Sequence, residues 1–321
     1  KIEIVDGATV IQSLTGNQVK ALSMFRGEKE MAMTSTDDNA AEGYEDFRLI
    51  LGGKFNGTSI APDFSKFTNP QIKISWDYSD TTTEFGMTCD ADASPALKIT
   101  VMCKVVREGG RYKHGYVKTS QIKTFTQAVS TENRIDIPLG EPLLGIMIEA
   151  GYDALDWTED IEKVKLDFNN GEWIPVELYE EEIVKIQDQW FGGQFEVSFW
   201  KDVKDAIEVD FHMGYVVSIN VHPGFAGSYV YAFPIAHRGV ETINVYDSSD
   251  KSAYATYAQA LFNVSGYCPF NCWYVPMREL LNADGDTIDT TKYRDIVLTL
   301  TSGSSASTSS TPAIIAEYLI T

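Results

Sequence analysis

Residues 164–178 read VKLDFNNGEWIPVEL and carry the clearest structural signal in the sequence. Apolar and polar residues alternate on both sides of Asn169-Asn170-Gly171, which is typical of strands with one buried face. An Asn-Gly pair between two such runs favours a tight turn, because a type I′ turn needs residues that tolerate positive φ. The stretch therefore predicts a β-hairpin.

The alternation also assigns the apolar face of this hairpin. That face comprises Val164, Leu166, Phe168, Ile174, Val176 and Leu178. Residues 179–191, YEEEIVKIQDQWF, follow with acidic residues where a helix N-terminus attracts negative charge and apolar residues at helical spacing. We predict a helix there that covers a sheet edge or a barrel mouth, and residues 200–209, WKDVKDAIEV, are a second helix candidate.

Composition sets the class of protein. The 321 residues are 44% hydrophobic, which is close to the globular average, so the chain is long enough for one large or two ordinary domains. Acidic residues outnumber basic ones by 46 to 26, for a net charge of −20. That charge repels nucleic acid and anionic lipid, so we expect no direct nucleic-acid partner.

Strand-like stretches dominate the rest of the sequence. They are 46–55, 70–78, 95–106, 141–150, 214–222, 229–236, 294–301 and 312–320. Segments rich in turn-forming residues separate them, and long helical patterns are few. Short strands at this spacing predict an all-β sandwich or barrel.

The hairpin and helix occur a second time, at the beginning of the sequence. Shifting residues 1–28 by 164 positions places KIEIVDG on KLDFNNG, with glycines Gly7 and Gly171 in register. Val19 and Leu22 then fall on apolar helix positions 183 and 186. Both copies read strand, glycine turn, strand, short helix, aromatic residue and glycine, which indicates an internal duplication. Sequence identity between the copies is low, so chance similarity is the alternative.

The strands that close each half also correspond. IKISWDY (72–78), a polar loop and PALKITVMCKVV (95–106) match IVLTLT (296–301), a polar loop and PAIIAEYL (312–319). The second hairpin is preceded by two strand-like stretches, whereas residue 1 already belongs to the first hairpin. We therefore expect about two strands to be missing before residue 1, and an unpaired edge in the first sheet.

These patterns together resemble the double jelly-roll major capsid proteins of tailless icosahedral viruses, the tectivirus, corticovirus and adenovirus lineage. The stretches that carry the resemblance are RIDIPLGEPLLGIMIEA (134–150), IEKVKLDFNNGEWIPVEL (161–178), RDIVLTLT (294–301) and PAIIAEYLI (312–320). They cover most of 134–321. The first half resembles the family mainly through the repeat.

The resemblance implies an architecture and a function. The fold would be two tandem jelly-roll β-sandwiches side by side, with a few short helices, at residues 1–108 and 109–321. Three copies would form a pseudo-hexameric capsomer of an icosahedral shell. The partners would be copies of this chain and other virion proteins, such as penton or membrane proteins. The protein would be assembled in the host cytoplasm, as in a bacteriophage, and located in the virion.

Enzymatic function has little support in the sequence, and we expect none. The four histidines are His114, His212, His222 and His237, and no G-x-S-x-G motif accompanies them. We interpret His222 as part of a turn and His212 as part of a strand. Acidic residues are numerous enough that a pair at the spacing of a glycosidase arises by chance. No phosphate-binding glycine motif is present, and we expect no cofactor.

Two further groups of residues bear on ligand binding. Asn282, Asp284, Asp286 and Asp289 are weak candidates for oxygen ligands of a surface calcium ion, but the pattern is not an EF-hand and a solvated turn is the ordinary account of it. Cys268 and Cys272 form a C-x3-C pair without a second pair to complete a zinc site, so we interpret them as buried free thiols. The other cysteines are Cys89 and Cys103.

An aromatic cluster leaves three possibilities open. Tyr267, Phe270, Trp273 and Tyr274 suit a hydrophobic core, a subunit interface or a sugar-stacking platform. The last of these motivates the alternative function, a β-sandwich carbohydrate-binding or adhesin module.

Overall fold

The computed structural model describes residues 1–28, 33–34, 46–55, 58–75, 99–103, 112–151, 160–203, 206–223, 228–231, 240–247, 258–281, 285–304, 306 and 311–321. Short strands dominate it. The first 150 residues contain β1 (Ile2–Asp6), β2 (Thr9–Leu14), α1 (Gly16–Phe25), β3 (Met33–Thr34), β4 (Gly53–Phe55), β5 (Thr58–Ala61), β6 (Pro70–Ile74), β7 (Tyr112–His114), β8 (Tyr116–Thr124), β9 (Glu132–Asp136) and β10 (Leu143–Glu149).

The remaining elements are as follows: β11 (Ile161–Phe168), β12 (Trp173–Tyr179), α2 (Glu180–Phe191), β13 (Phe195–Val203), β14 (Ala206–Asp210), β15 (Met213–Pro223), β16 (Ser228–Tyr231), β17 (Val240–Asp247), β18 (Ala258–Pro269), β19 (Cys272–Pro276), α3 (Met277–Leu280), β20 (Ile296–Ser302) and β21 (Ala313–Ile320). Short 3-10 turns lie at Phe64–Lys66 and Thr290–Lys292.

Eight of these strands form a complete sandwich, which we call the second unit. One antiparallel sheet has the order β8-β21-β10-β19, and the other has the order β9-β20-β11-β12. Apart from the β11–β12 hairpin, consecutive strands alternate between the two sheets, so the last strand, β21, lies between the first and the third. This is the strand order of a jelly roll.

The core of the second unit lies between these sheets. Both sheets contribute side chains that are at most 1% exposed, including Ile146, Val164, Leu166, Leu298 and Ile314. Residues of one face recur at every second position, so the period-two pattern of the sequence is the reason these strands pack face to face. Helix α2 adds Ile183, which is fully buried, to the same core.

A three-stranded sheet near the beginning of the chain, with helix α1, forms what we call the first unit. Its order, β2-β1-β6, repeats the arrangement β12-β11-β20 of the second unit: a hairpin whose first strand also pairs antiparallel with a later strand. Helices α1 and α2 begin at Gly16 and Glu180, which are 164 positions apart, as the repeat predicts. A small sheet, β4-β5-β7, accompanies this unit.

The chain segment between β12 and β19 lies outside the two sheets of the second unit. It holds α2 and two further sheets, β15-β18-β13-β3 and β14-β17-β16. Strand β3 belongs to the chain segment that follows α1, and it runs parallel to β13 with Met33 opposite Phe199. The segment that follows α1 and the segment that follows α2 therefore contribute strands to the same sheet.

The predicted fold class is confirmed. The chain is all-β with few short helices and two β units in tandem, of which the second is a complete jelly roll. Among the residues that the structure describes, no helix combines the length and the hydropathy needed to cross a bilayer.

One helix prediction was wrong. Residues 200–209 were a helix candidate, but residues 200–203 lie in β13 and residues 206–209 in β14, with 204 and 205 outside the described residues. Strand β13 pairs with β18 from Phe195 to Val203, and the backbone hydrogen bonds of this long ladder override the local pattern.

The hairpin itself differs from prediction at one residue. A register shift between Leu166 and Phe168 places Trp173 opposite Phe168, with their ring centroids 4.6 Å apart. Ile174, which was expected on the apolar face, is 38% exposed. A β-bulge of this kind inserts one residue into one strand, so Trp173 takes the place opposite Phe168 that was predicted for Ile174, while Val176 stays buried as predicted.

Two strand-like stretches are also less regular than predicted. Only Gly53–Phe55 of residues 46–55 forms a strand, and residues 99–103 have no regular secondary structure. Met102 is 86% exposed. Residues 76–78, 95–98, 104–106 and 232–236 of other predicted strands lie outside the described residues.

Candidate functional site: the junction between the two units

Helix α1 lies at the junction of the two units, and its first turn is fixed by its own sequence. The Thr15 hydroxyl accepts a hydrogen bond from the Gln18 backbone N–H, and the Gln18 side chain accepts one from the Thr15 N–H at 2.9 Å. Such reciprocal capping satisfies two N–H groups that a helix end leaves without partners. The Glu182 side chain accepts from the Tyr179 N–H at the same distance in the second copy.

The helix buries its apolar residues against the outer face of the sheet β8-β21-β10-β19. Val19, Leu22 and Phe25 belong to one core with Met147 of β10 and Ile315 of β21. Phe25 also stacks on Tyr274 of β19, with ring centroids 5.6 Å apart. The first unit and the second therefore share a continuous apolar core, which fixes how they sit against each other.

A buried ion pair crosses this junction. The Arg26 guanidinium donates to both carboxylate oxygens of Glu317 at 2.9 Å, and the Tyr274 hydroxyl donates to one of them at 2.8 Å. The Glu317 side chain is 2% exposed. Arg26 also lies over the ring of Phe55, 5.5 Å from its centroid. The carboxylate is thus fully enclosed and saturated by donors from both units.

The surroundings of Arg26 and Tyr274 shift the pKa of both side chains upward. Burial raises the pKa of Tyr274 well above its ordinary value, and the neighbouring Glu317 carboxylate raises it further. Burial is the largest single effect on the pKa of Arg26 and lowers it, but the charges of Glu317 and Tyr274 and the hydrogen bonding to Glu317 together outweigh burial, so the net shift is upward. The tyrosine therefore stays a donor and the arginine stays charged across the physiological range.

A glycine makes room for the tyrosine. Gly145 of β10 lies opposite Glu317 in the sheet, and a Cβ at this position would come 2.0 Å from the Tyr274 hydroxyl oxygen. No side chain fits at that distance. The absence of a side chain at residue 145 is therefore a condition for the ion-pair geometry.

A second polar contact crosses the junction at the other end of α1. The Gln18 amide donates to the Glu149 carboxyl at 2.6 Å. The pair lines a half-open cavity of about 350 Å³ whose other polar lining residues include Thr15, Gln121 and Asn271. Among the described residues that line this cavity, Glu149 is the only titratable one.

Burial raises the pKa of Glu149, and the hydrogen bond from Gln18 opposes the shift only in part. A raised carboxyl pKa in the folded state means that ionisation costs stability as the pH rises from the ordinary value, 4.5, through the folded value. We expect Glu149→Gln, which keeps an acceptor for Gln18, to become progressively more stable than the unmodified protein over this range. Urea denaturation at several pH values measures the difference.

The matched control for this pH effect is Glu162→Gln, since Glu162 is an exposed residue of β11. Its variant should track the unmodified protein at every pH. A Glu149→Gln variant whose stability difference is constant with pH would contradict the interpretation of Glu149 as a buried titrating group.

The aromatic cluster identified in the sequence belongs to the core. Tyr267, Phe270, Trp273 and Tyr274 are all at most 8% exposed. Trp273 stacks on Trp190 of α2 with ring centroids 6.1 Å apart. The Tyr267 hydroxyl donates to Asp188 at 2.7 Å, and burial raises the pKa of Tyr267 to about 12. These rings do not offer the exposed shelf that a sugar-stacking platform requires.

The candidate calcium ligands are occupied by other partners where the structure describes them. Asp289 accepts from the backbone N–H and hydroxyl of Thr291 and caps a 3-10 turn, which lowers its pKa. Asp286 lies 3.6 Å from the Arg278 guanidinium. Asn282 and Asp284 lie outside the described residues. Over the part of the chain that the structure covers, no three acidic, histidine or cysteine side chains converge as a metal site would require.

The histidines and cysteines are dispersed. His212 precedes β15 with a positive φ of 55° and stacks against Phe270, and His222 is an exposed residue within β15, so neither prediction for these two was accurate. His114 is exposed, and His237 lies outside the described residues. Cys268 and Cys272 are buried thiols that form no disulfide, as predicted, while Cys103 is exposed and Cys89 is not described.

Sequence reasoning missed the Arg26–Glu317 pair, whose members are 291 positions apart. A signal was present in the strand AIIAEYLI, residues 313–320, where one acid interrupts an apolar run. An isolated acid in a strand buried on both faces needs a cationic or hydrogen-bonding partner. That rule indicates a buried pair but not which of the 26 basic residues completes it.

Comparisons with known proteins yielded one similarity. No protein-family model matches the chain, and no curated protein matches it. Among solved structures, the crystal structure of the major capsid protein P2 from Bacteriophage PM2 is similar to this chain at 10% sequence identity. The alignment covers 64% of this chain and 97% of that one, with a TM-score of 0.19. A TM-score this low carries no argument about fold or function.

Proposed function

We propose that this chain is the major capsid protein of an icosahedral virus, a structural subunit without catalytic activity. The observation that carries the proposal is the duplicated unit: two hairpins and two helices in the same register, 164 positions apart, in one polypeptide whose second unit is a jelly roll. A protein with two similar units side by side presents six such units when three copies meet around an axis. A homotrimer would then form a pseudo-hexameric capsomer.

The junction supports this role. A capsomer needs the two units of each chain at a fixed relative orientation. If the units moved relative to each other, neighbouring capsomers could not form the same contacts throughout the shell. Here a shared core, the Arg26–Glu317 ion pair and the Gln18–Glu149 contact hold α1 on the second unit. Buried polar contacts of this kind are favourable only at good hydrogen-bond distances and angles, so they favour one relative orientation of the two units over others.

The proposal extends to partners and location. The subunit would contact copies of itself and other virion proteins, such as penton or membrane proteins, in a bacteriophage virion assembled in the host cytoplasm. The net charge of −20 argues against direct contact with the genome. The unit boundary is proposed at residues 108 and 109, although β7, at 112–114, still pairs with β5 of the first unit.

The carbohydrate-binding alternative has less support than the capsid role. Its main sequence feature, the aromatic cluster, is buried in the core. A polar cavity at the junction could accept a small polar molecule, but Phe270 is the one aromatic residue among its described lining, and the Phe270 ring lies against His212 and Lys20.

Light scattering on the purified protein tests the proposed assembly. We expect a homotrimer of about 107 kDa, three times the 35.7 kDa of one chain. Electron microscopy at high protein concentration should show pseudo-hexagonal particles or their lattice, since multiple weak contacts stabilise such arrays. A monodisperse monomer at all concentrations that binds glycans would contradict the capsid proposal and favour the alternative.

A further inference from the structure

The cavity beside the first turn of α1 lies at one end of the sheet β8-β21-β10-β19. Thr124 of β8 and Glu149 of β10 both lie opposite Ala313 of β21, which runs between them. Directly opposed residues of antiparallel strands point to the same face of a sheet. Ala313 belongs to the core that α1 covers, so all three side chains point to that face. The small alanine side chain leaves space between Thr124 and Glu149.

Glu149 supplies the one charged group of the described cavity lining. The other polar groups there are neutral amides and hydroxyls, such as those of Gln121, Thr124 and Asn271. Within the described part of the chain, the Gln18 amide is the one hydrogen-bond donor to the Glu149 carboxylate, and it contacts one oxygen, Oε2, at 2.6 Å. The other carboxylate oxygen is left for a ligand in the cavity.

The second carboxylate of this junction shows what such a group binds. Glu317 lies four residues after Ala313 in β21, so it points to the same face of the same sheet. Its two oxygens accept from the Arg26 guanidinium, and the Tyr274 hydroxyl adds a third hydrogen bond. An enclosed carboxylate needs donors of this kind to remain ionised. Glu149 has an amide donor in the same position relative to α1, but the described lining offers it no cation.

The charges around the cavity favour a cation. The first turn of α1 borders the cavity, and a helix N-terminus carries about half a positive charge, which balances a carboxylate only in part. The net charge of −20 on the whole chain adds to the negative potential. Burial raises the pKa of Glu149, the shift expected of a carboxyl group that has lost water without gaining a charged partner. A cation in the cavity would remove this penalty.

We propose that this cavity binds an organic cation that carries several N–H groups, namely a guanidinium or a primary ammonium ion. The cation would donate to the Glu149 carboxylate and to neutral oxygens of the lining, such as the Gln121 and Asn271 amides. A volume of about 350 Å³ suits a small organic molecule, whereas a calcium ion needs a compact shell of oxygen ligands. A free ion and an arginine or lysine side chain of another polypeptide offer the same chemistry.

This inference does not depend on the capsid proposal, because it rests on the geometry and charge of the junction within one chain.

Ligand-observed NMR at constant ionic strength tests the inference with two probes, ethylguanidinium and propylammonium. We expect saturable binding of at least one probe with a Kd of about 1 mM or lower, a strong but attainable value for so few atoms. Tetramethylammonium has the same charge but no N–H group, so it should bind about tenfold more weakly or worse. A capped Gly-Arg-Gly peptide distinguishes the sources: a similar Kd indicates a side chain as the natural ligand, and exclusion of the peptide indicates a free ion.

Three variants locate the site. Glu149→Gln keeps an acceptor for Gln18 but removes the charge, so affinity for the bound probe should fall by about tenfold or more. Glu162→Gln is the matched control, since Glu162 is an exposed residue of β11 outside the cavity lining, and its affinity should be unchanged. Gln121→Glu adds a carboxylate at an exposed position of the lining, so affinity should rise by about threefold or more. Circular dichroism checks that each variant is folded.

Three results would overturn the inference. The first is the absence of saturable binding of either probe at millimolar concentration. The second is equal affinity for tetramethylammonium, which would reduce the effect to general attraction of cations by an acidic protein. The third is unchanged affinity in a folded Glu149→Gln variant, which would place the binding elsewhere on the molecule. If that variant does not fold, an affinity that fails to rise in Gln121→Glu has the same meaning.

Discussion

Replacing Arg26 with alanine is expected to destabilise the protein by about 3–5 kcal/mol, the cost of leaving a buried carboxylate without its charged partner. Glu317 is 2% exposed and sits in the central strand of its sheet, so water cannot replace the guanidinium without opening the junction. The Tyr274 hydroxyl remains as a donor but carries no charge. Urea denaturation followed by tryptophan fluorescence measures the loss.

Two comparisons isolate the ion pair as the cause. Arg278→Ala removes an arginine whose side chain is 61% exposed and lies 3.6 Å from Asp286, so its effect should stay within about 0.5 kcal/mol. Arg26→Ala should also cost less in a Glu317→Gln background, since no buried charge then remains. An equal cost in both backgrounds would show that Arg26 acts through packing instead.

The junction variant also connects stability with assembly. If the ion pair fixes the orientation of the two units, Arg26→Ala should weaken the trimer under conditions in which the monomer is still folded. Light scattering and circular dichroism on the same sample separate the two effects. A variant that is folded, less stable and fully trimeric would confine the role of Arg26 to stability.

Trp273→Ala is expected to cost about 3–5 kcal/mol by leaving a large cavity in the core of the second unit. Trp273 is fully buried in β19 and stacks on Trp190, which anchors α2 over the sandwich. The same change should loosen α2, so hydrogen exchange of the helix amides should accelerate more than that of β11. Thermal denaturation combined with exchange measures both quantities.

The control for this cavity effect is Met102→Ala, because Met102 is 86% exposed and its side chain has few neighbours to lose. We expect a change within about 0.5 kcal/mol. A Trp273→Ala variant of unchanged stability that loses trimer formation would contradict the placement of the aromatic cluster in the core and favour the interface interpretation.

The sequence predicts those parts of the fold that depend on local patterns. The hairpin at 164–178 and the helix after it follow from alternation, an Asn-Gly turn and helical spacing, all of which operate within about 15 residues. Gly171 indeed has a positive φ of 95°, and Ile183 is fully buried. The repeat also predicted a short helix after the first hairpin, and α1 (Gly16–Phe25) lies there.

Features that depend on long-range pairing could not be predicted from the sequence. The bulge that turns Ile174 outward arises from the register with the partner strand, and the strand conformation of 200–209 arises from the ladder with β18. The Arg26–Glu317 pair requires the tertiary fold to bring the residues together. For the same reason the aromatic cluster could be assigned to the core only after the sheets were known.

The central position of β21 has a consequence for how the chain is made. Ile320 lies opposite Tyr116, and β21 separates β8 from β10, so the sandwich contains a gap until residues 313–320 have left the ribosome. Such a high contact order slows folding, because distant segments must meet before burial compensates for the lost chain entropy. During translation the nascent second unit therefore exposes two unpaired strand edges until residues 313–320 emerge, and chaperone demand should be greatest before that point.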